Sequence, residues 1–141
     1  MPPLRTGAEY REALRDGRKV WVIGEGAVDD VTTHPATRAM VDEYIAWYDR
    51  HFDPAWQDIL LNGERLPWGY MVPKTASDLV GMGRCFAATT VLSAGNITHT
   101  PAYGHLIALG VLGEVQARDA SAAQIEHAEA YRQHIVRSGG S

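Results

Sequence analysis

Five times along these 141 residues a helix-opening signal is followed by apolar residues spaced three and four apart, a pattern that favours a helical architecture. The first is Thr6-Gly7-Ala8-Glu9, where a hydroxyl and a carboxylate three residues apart can each accept from the other's backbone N–H. Tyr10 and Leu14 follow, and predict a short helix over 7–16 stopped by Gly17. The second opens at His34-Pro35, since a proline at the first helical position lacks only an N–H that would have no partner there. Val41, Tyr44, Ile45, Tyr48 and Phe52 form its stripe, widened by Met40 and Trp47, and Asp53-Pro54 closes it after residue 51. The third is Thr75-Ala76-Ser77-Asp78, leading to Leu79, Met82, Phe86 and Thr90, with Ala87 and Val91 beside them. Gly81 and Gly83 lie inside this helix at a cost of up to about 1 kcal/mol each relative to alanine. Either another part of the chain comes close there or the glycines cap or kink the helix. Thr100-Pro101 opens the fourth as cap and first residue, with Tyr103, Leu106, Ile107, Gly110 and Val111 as its stripe. Ser121-Ala122-Ala123-Gln124 opens the last, through Ile125, Ala128, Tyr131, Arg132 and Ile135.

Lys19 to Ile23 is rich in β-branched and aromatic residues, and Gly24-Glu25-Gly26 leads to a second short run ending at Val28, which predicts a small hairpin. Its two glycines do not complete a dinucleotide fingerprint, and no helix opens directly after them. Asn62-Gly63 predicts a turn or loose hairpin within 55–70, and 93–99 breaks the periodicity. The expected fold is mainly α: a small helical domain of about five helices with one or two short β-hairpins. With no repeat, long linker or charge block, 1–141 reads as a single domain whose helices pack as antiparallel or skewed neighbours.

Composition removes several function classes. Thirteen Lys and Arg stand against seventeen Asp and Glu, a formal net charge of −4 with no basic run, which argues against nucleic acid as a partner. No stretch approaches the roughly 20 apolar residues of a membrane span, and Met1-Pro2-Pro3-Leu4-Arg5 lacks a signal peptide's apolar core, so the cytoplasm is the expected location. The one cysteine, Cys85, sits in an apolar helical stretch and reads as a buried, inert thiol. His127 and His134 are two helical turns apart, about 10 Å, too far to share one ion, and no metal is expected. His34 reads as a helix cap, and Asp29-Asp30 as acceptors for turn amides. Trp21, Trp47, Trp56 and Trp68 read as core or interface residues.

Several stretches resemble one family in its own order. They are Leu4-Arg5-Thr6-Gly7-Ala8-Glu9-Tyr10, Leu14-Arg15-Asp16-Gly17-Arg18, Val28-Asp29-Asp30-Val31-Thr32-Thr33-His34-Pro35, Val72-Pro73-Lys74-Thr75-Ala76-Ser77-Asp78-Leu79 and Thr100-Pro101-Ala102-Tyr103. The chain resembles the N-terminal domain of the 4-hydroxyphenylacetate 3-monooxygenase large-component family, two-component FAD-dependent aromatic hydroxylases of acyl-CoA dehydrogenase-like architecture. The resemblance implies an N-terminal helical domain that is followed, in the family, by a β domain and a C-terminal helical bundle that hold most of the FAD. It implies hydroxylation of a phenolic or related aromatic substrate with reduced FAD and O2, the flavin being reduced by a separate flavin reductase. This chain ends where the β domain is expected, before a catalytic histidine that the family contributes, so FAD is expected to be held mainly by a larger partner subunit.

The same resemblance points to the site. The family places an arginine before its threonine-proline-aspartate-tyrosine, and the arginine and tyrosine hold the phenolic substrate. Here the arginine position is His99, the aspartate position is Ala102, and Tyr103 is kept. Histidine has a shorter reach and no assured charge at pH 7, where arginine offers five donors in a fixed fork. His99 and Tyr103 are four apart at a helix entrance, which offers unpaired N–H groups and the positive end of the helix dipole to a phenolate or carboxylate. They are the candidate catalytic residues, with Asn96, Thr98 and Thr100 as candidate pocket residues. The plainer reading is a solvated histidine, a core tyrosine and polar residues bonded to their own backbone. Three accounts of the chain follow: the small subunit of a split monooxygenase, a non-catalytic binding or regulatory module descended from the same domain, or a piece of a longer protein.

Overall fold

In the computed structural model, which describes residues 4–91, 93–96 and 100–138, side chains close the helix ends much as the capping signals predict. Thr6 accepts from the Glu9 N–H, and the Glu9 carboxylate accepts from the Thr6 N–H at 2.6 Å, opening α1 (Gly7–Ala13). β1 (Val20–Val22) and β2 (Gly26–Val28) pair antiparallel in the expected hairpin, with Trp21 opposite Ala27. Asp30 Oδ1 accepts from the Thr32 N–H at 2.7 Å, the turn role read for the acidic pair and here taken by Asp30. His34 Nδ1 accepts from the Ala36 N–H at 3.3 Å and caps α2 (Pro35–Arg50). Asp53-Pro54 does more than end α2. Asp53 caps the Ala55 N–H at 2.9 Å and Pro54 is the first residue of α3 (Pro54–Leu60), a helix inside the segment read as turn or loose hairpin. The same dipeptide that stops one helix is well formed to start the next. A tight turn does follow. Asn62 Oδ1 takes the N–H groups of Glu64 and Leu66 at 2.9 and 2.8 Å, and Leu61 bridges Pro67.

A 3-10 turn at Trp68–Tyr70 leads to α4 (Ala76–Thr89), opened by the Thr75–Asp78 box. α5 (Tyr103–Ala117) and α6 (Ala122–Ser138) then pack against each other, and Ser121 and Gln124 cap the latter reciprocally. Among the described residues this makes six α-helices and one hairpin. None of these helices is long and apolar enough to cross a membrane.

The core is unusually phenolic. Tyr10, Leu14, Val41, Trp47, Tyr48, Tyr70, Met82, Phe86 and Ala102 form one cluster drawn from α1, α2, the 3-10 turn, α4 and the segment before α5. Trp47 meets Tyr48 edge-on at 5.0 Å and Tyr70 edge-on at 6.0 Å, geometries that place a ring's positive edge on its neighbour's negative face. The Tyr48 and Tyr70 hydroxyls share a hydrogen bond, and burial pushes the Tyr48 phenol up to about 12, so both stay neutral. Cys85 is buried, its thiol likewise pushed up to about 12 by desolvation.

Some predicted stripes are rotated. α4 buries Met82, Cys85, Phe86 and Thr89, while Leu79 and Val91 are exposed. The cause is the position of its neighbours, α3 and the 3-10 turn. α5 buries His105 and Ala108 towards α6 and the 3-10 turn, leaving Ile107, Gly110 and Val111 outward. Phe52, beyond the end of α2, and Tyr131 on α6 are also exposed.

Gly81 and Gly83 have opposite surroundings. A Cβ at Gly81 falls 2.5–2.7 Å from three atoms of the Trp68 indole, so the ring lies directly on the helix backbone; a Cβ at Gly83 meets nothing within 4 Å. Gly83→Ala is expected to raise stability by roughly 0.5–1 kcal/mol through helix propensity. Gly81→Ala is expected to lower it by about 1–3 kcal/mol, because displacing the indole outweighs the same propensity gain. Urea denaturation of the two variants measures both.

His51, at the C-terminal end of α2, is buried against Trp47 with ring centroids 4.3 Å apart. Its Nδ1 lies 2.9 Å from the Trp47 carbonyl and so carries the proton, while Nε2 is buried without a hydrogen-bond partner. Desolvation pulls its pKa down to about 4. The folded state holds the ring neutral where the unfolded chain protonates it, so stability is lost as pH falls from about 6.5 towards about 4, by up to about 3 kcal/mol. Denaturation midpoints at neutral pH and near pH 4.5 are expected to diverge less in His51→Gln than in the wild type.

Candidate functional site

The entrance to α5 is built on the 3-10 turn. Gly69 presents bare backbone to Ala102: a Cβ there would sit 2.6 Å from the Ala102 Cβ and 3.7 Å from the Trp47 ring. Ala102 is buried in this contact at 0% exposure, and Thr100 nearby in sequence is buried too, at 3%. The chain turns through them, with the Tyr103 N–H donating to the Thr100 carbonyl at 2.9 Å. The Ala102 carbonyl then accepts from the N–H groups of His105 and Leu106, at 3.1 and 3.3 Å. α5 therefore begins at Tyr103, two residues later than Thr100-Pro101 predicts, and Ala102 caps it with no side-chain hydrogen bond. An alanine cap offers no side-chain acceptor, and the Tyr103 and His105 N–H groups are taken by backbone carbonyls instead.

Of the candidate residues, the structure brings Thr100 and Tyr103 to this corner, the tyrosine half-buried as the first residue of α5. Asn96 lies in an exposed turn, its backbone N–H donating to the Ser93 carbonyl at 3.1 Å and its carbonyl accepting from Ser93 Oγ at 2.6 Å. Thr98 and His99 lie outside the described residues.

One residue of this corner was not singled out in the sequence. His105 is fully buried; its Nδ1 lies 3.1 Å from the Gly69 carbonyl and its Nε2 3.2 Å from Arg132 on α6. Arg132 in turn grips Glu129 through two N–H groups at 2.7 and 2.5 Å, and these bonds hold the Glu129 carboxyl near 2. Desolvation lowers the His105 pKa below its ordinary value, with Arg132 adding to the effect. The only signal in the sequence was that His105 and Ala108 share a helical face, which is mute without knowledge of Gly69.

Two clefts could be considered seats for a flavin by position. One, about 290 Å³, lies between Leu14, Arg15, Gly17 and Arg18 and the stretch 29–31. Its arginines are already matched, Arg15 by Glu12 at 2.7 Å and Asp30 at 3.3 Å, and Arg18 by Asp16 at 2.7 Å. The other, about 180 Å³, sets Asp58 near Arg84 beside Trp68 and Gly81. Both fall below the roughly 300–1,000 Å³ of drug-sized ligand pockets, and FAD is larger than most such ligands. Neither fits it.

Residues 6–139 match the family model described as 4-hydroxyphenylacetate 3-hydroxylase N terminal. The chain belongs to this family. Among curated hydroxylase relatives, the oxygenase component of 4-nitrophenol 4-monooxygenase/4-nitrocatechol 2-monooxygenase from Rhodococcus opacus is 43% identical over 79 residues, 53% of this chain and 15% of its own. The oxygenase component of 4-hydroxyphenylacetate 3-monooxygenase from Thermus thermophilus is 36% identical over 103 residues, 70% of this chain and 21% of its own. An FADH(2)-dependent monooxygenase, TftD, from Burkholderia cepacia is 41% identical over 80 residues, 54% and 15% respectively. The chain thus spans between about a seventh and about a fifth of the length of these three hydroxylase relatives.

Ala102 occupies the position where the hydroxylase resemblance implies an aspartate, and it is wholly buried against Gly69. Ala102→Asp would set a carboxylate in that contact. A loss of about 3 kcal/mol or more is expected at pH 7, and a smaller loss near pH 4 where the carboxyl is protonated. Thermal melts at the two pH values check both the size and the direction.

Proposed function

We propose that this chain acts as a single domain over 1–141, in the cytoplasm, as the small subunit of a split two-component flavin-dependent monooxygenase. It contributes the α5 entrance to the pocket for a phenolic or related aromatic substrate, and a larger subunit holds the FAD. The observation that carries this reading is the half-buried Tyr103 at the head of an α5 that no side chain caps. A phenol can donate to, and a helix entrance can stabilise, an ionised oxygen resting there. His99, Thr98, Asn96 and Thr100 complete the proposed wall. Two further observations support a larger partner. Neither the cleft at Arg15 and Arg18 nor the one at Trp68 and Arg84 suits FAD, and α5, almost free of charge, leaves Ile107 and Val111 half exposed on its outward face. Reduced FAD, supplied by a separate flavin reductase, would provide the oxygen-activating chemistry.

Ala102 favours a second reading. An alanine at the aspartate position removes a charged group from beside the pocket, as expected of a non-catalytic binding or regulatory module that kept the helical scaffold.

Purification of the untagged protein from its source separates the two. A stoichiometric companion is expected, and the complex should hydroxylate a phenol when given reduced FAD. Within it, Tyr103→Phe removes one donor at constant ring volume and is expected to lower kcat/KM by roughly five- to 150-fold, equivalent to about 1–3 kcal/mol. His99→Ala is expected to cost at least as much, with an effect that varies around pH 6 to 7. A monomer that associates with nothing at micromolar concentration overturns the split enzyme. Wild-type kinetics in both variants would remove the pair from the mechanism.

A further inference from the structure

We propose that the Gly69 carbonyl, His105 and Arg132 form an acid-released clasp that holds α6 onto the rest of the fold. This inference is independent of the proposed reaction. A carbonyl can only accept and a guanidinium can only donate. His105 Nδ1, 3.1 Å from the Gly69 carbonyl, must therefore carry the ring's proton, and Nε2, 3.2 Å from Arg132, must present its lone pair. Two neighbours of fixed character thus set both tautomer and charge. A second proton has one place to go, Nε2, and there it meets an N–H of a permanent cation in a partly buried contact beside a fully buried ring.

The groups facing the ring come from two elements. The 3-10 turn offers the Gly69 carbonyl and the neutral Tyr70 ring at 6.0 Å. α6 offers Arg132, and beyond it Glu129, whose carboxylate is occupied by Arg132 and by Gln133 at 2.9 Å. Glu129 and the Gly69 carbonyl favour an imidazolium, while burial and Arg132 oppose it, and the net direction is downward. An acidified clasp therefore opens rather than accommodating the charge, and α6 moves because it carries the cation. Its other ties are the packing along α5, which leaves Ile125 and Ala128 partly buried, and a C-terminal end where Ile135 is buried near Gly104, Val136 packs on the core, and Arg5 donates to the Ser138 carbonyl.

Nitrogen NMR of the full chain at about pH 7.5 should show His105 with a pyrrole-type Nδ1 and a pyridine-type Nε2; the opposite tautomer or an imidazolium overturns the proposal. Backbone hydrogen exchange, corrected for intrinsic rates, is then compared between about pH 7.5 and about pH 5. Amides of α6 are expected to lose about tenfold more protection than those of α4. The acid sensitivity of His51 acts on the whole fold and moves both helices together. His105→Gln keeps a donor and an acceptor but cannot titrate, and should abolish the α6-specific loss. Arg132→Met should raise the imidazole's titration midpoint and needs no exchange measurement. Parallel behaviour of α6 and α4 in the wild type, or an α6-specific loss that survives in His105→Gln, rejects the clasp.

Discussion

The approach of the 3-10 turn to the start of α5 is the contact on which the other packing relations rest. Because Gly69 has no side chain, its backbone reaches Ala102, and its carbonyl then lies within reach of the His105 ring. On one side of it Trp68 lies over Gly81 of α4, and on the other Tyr70 enters the aromatic core beside Trp47 and Tyr48. A short, irregular segment thus touches α2, α4 and α5 through three consecutive residues, each doing something the other two cannot. A stripe-by-stripe helix description omits it, since a 3-10 turn of three residues has no periodicity to detect.

That omission marks what was readable in the residues. Chemistry acting over three or four positions was legible: the Thr6–Glu9, Thr75–Asp78 and Ser121–Gln124 boxes, the His34 cap and the hairpin all form. Chemistry that depends on a distant partner was not. Leu79 looks like an inner residue by spacing alone, but α3 and the 3-10 turn lie on the side of Cys85 and Thr89. α3 itself was hidden because Asp53-Pro54 reads equally well as an ending and a beginning. At the candidate site, Tyr103 and Thr100 could be found by motif, whereas His105 acquires meaning only from a carbonyl 36 residues earlier.

The phenolic composition of the core has its own logic. Tyr10, Tyr44, Tyr48 and Tyr70 could all have been phenylalanine if area were the sole requirement. Each hydroxyl must instead be satisfied or reach the boundary, which makes the arrangement more specific than an aliphatic core of the same size. Tyr70 does this by sharing a hydrogen bond with Tyr48, and the Tyr10 and Tyr48 rings meet tilted by 32° at 5.0 Å within the same cluster. The corner that carries Tyr103 is therefore braced from behind by oriented rings, the kind of support a hydrogen-bonding site needs to hold its geometry.

The hydrogen bond from Arg5 to the Ser138 carbonyl joins residues 133 positions apart, the beginning of the described chain to the last turn of its last helix. A loop of that length is entropically expensive to close from an open chain, though the expense grows only logarithmically with length. It becomes cheap once α1 is seated on α2 and α6 on α5, because the two ends are then already neighbours. The bond is thus a late event in assembly and an early casualty of fraying. Loosening either segment surrenders the other's anchor, so the start of α1 and the last turn of α6 open as one cooperative unit.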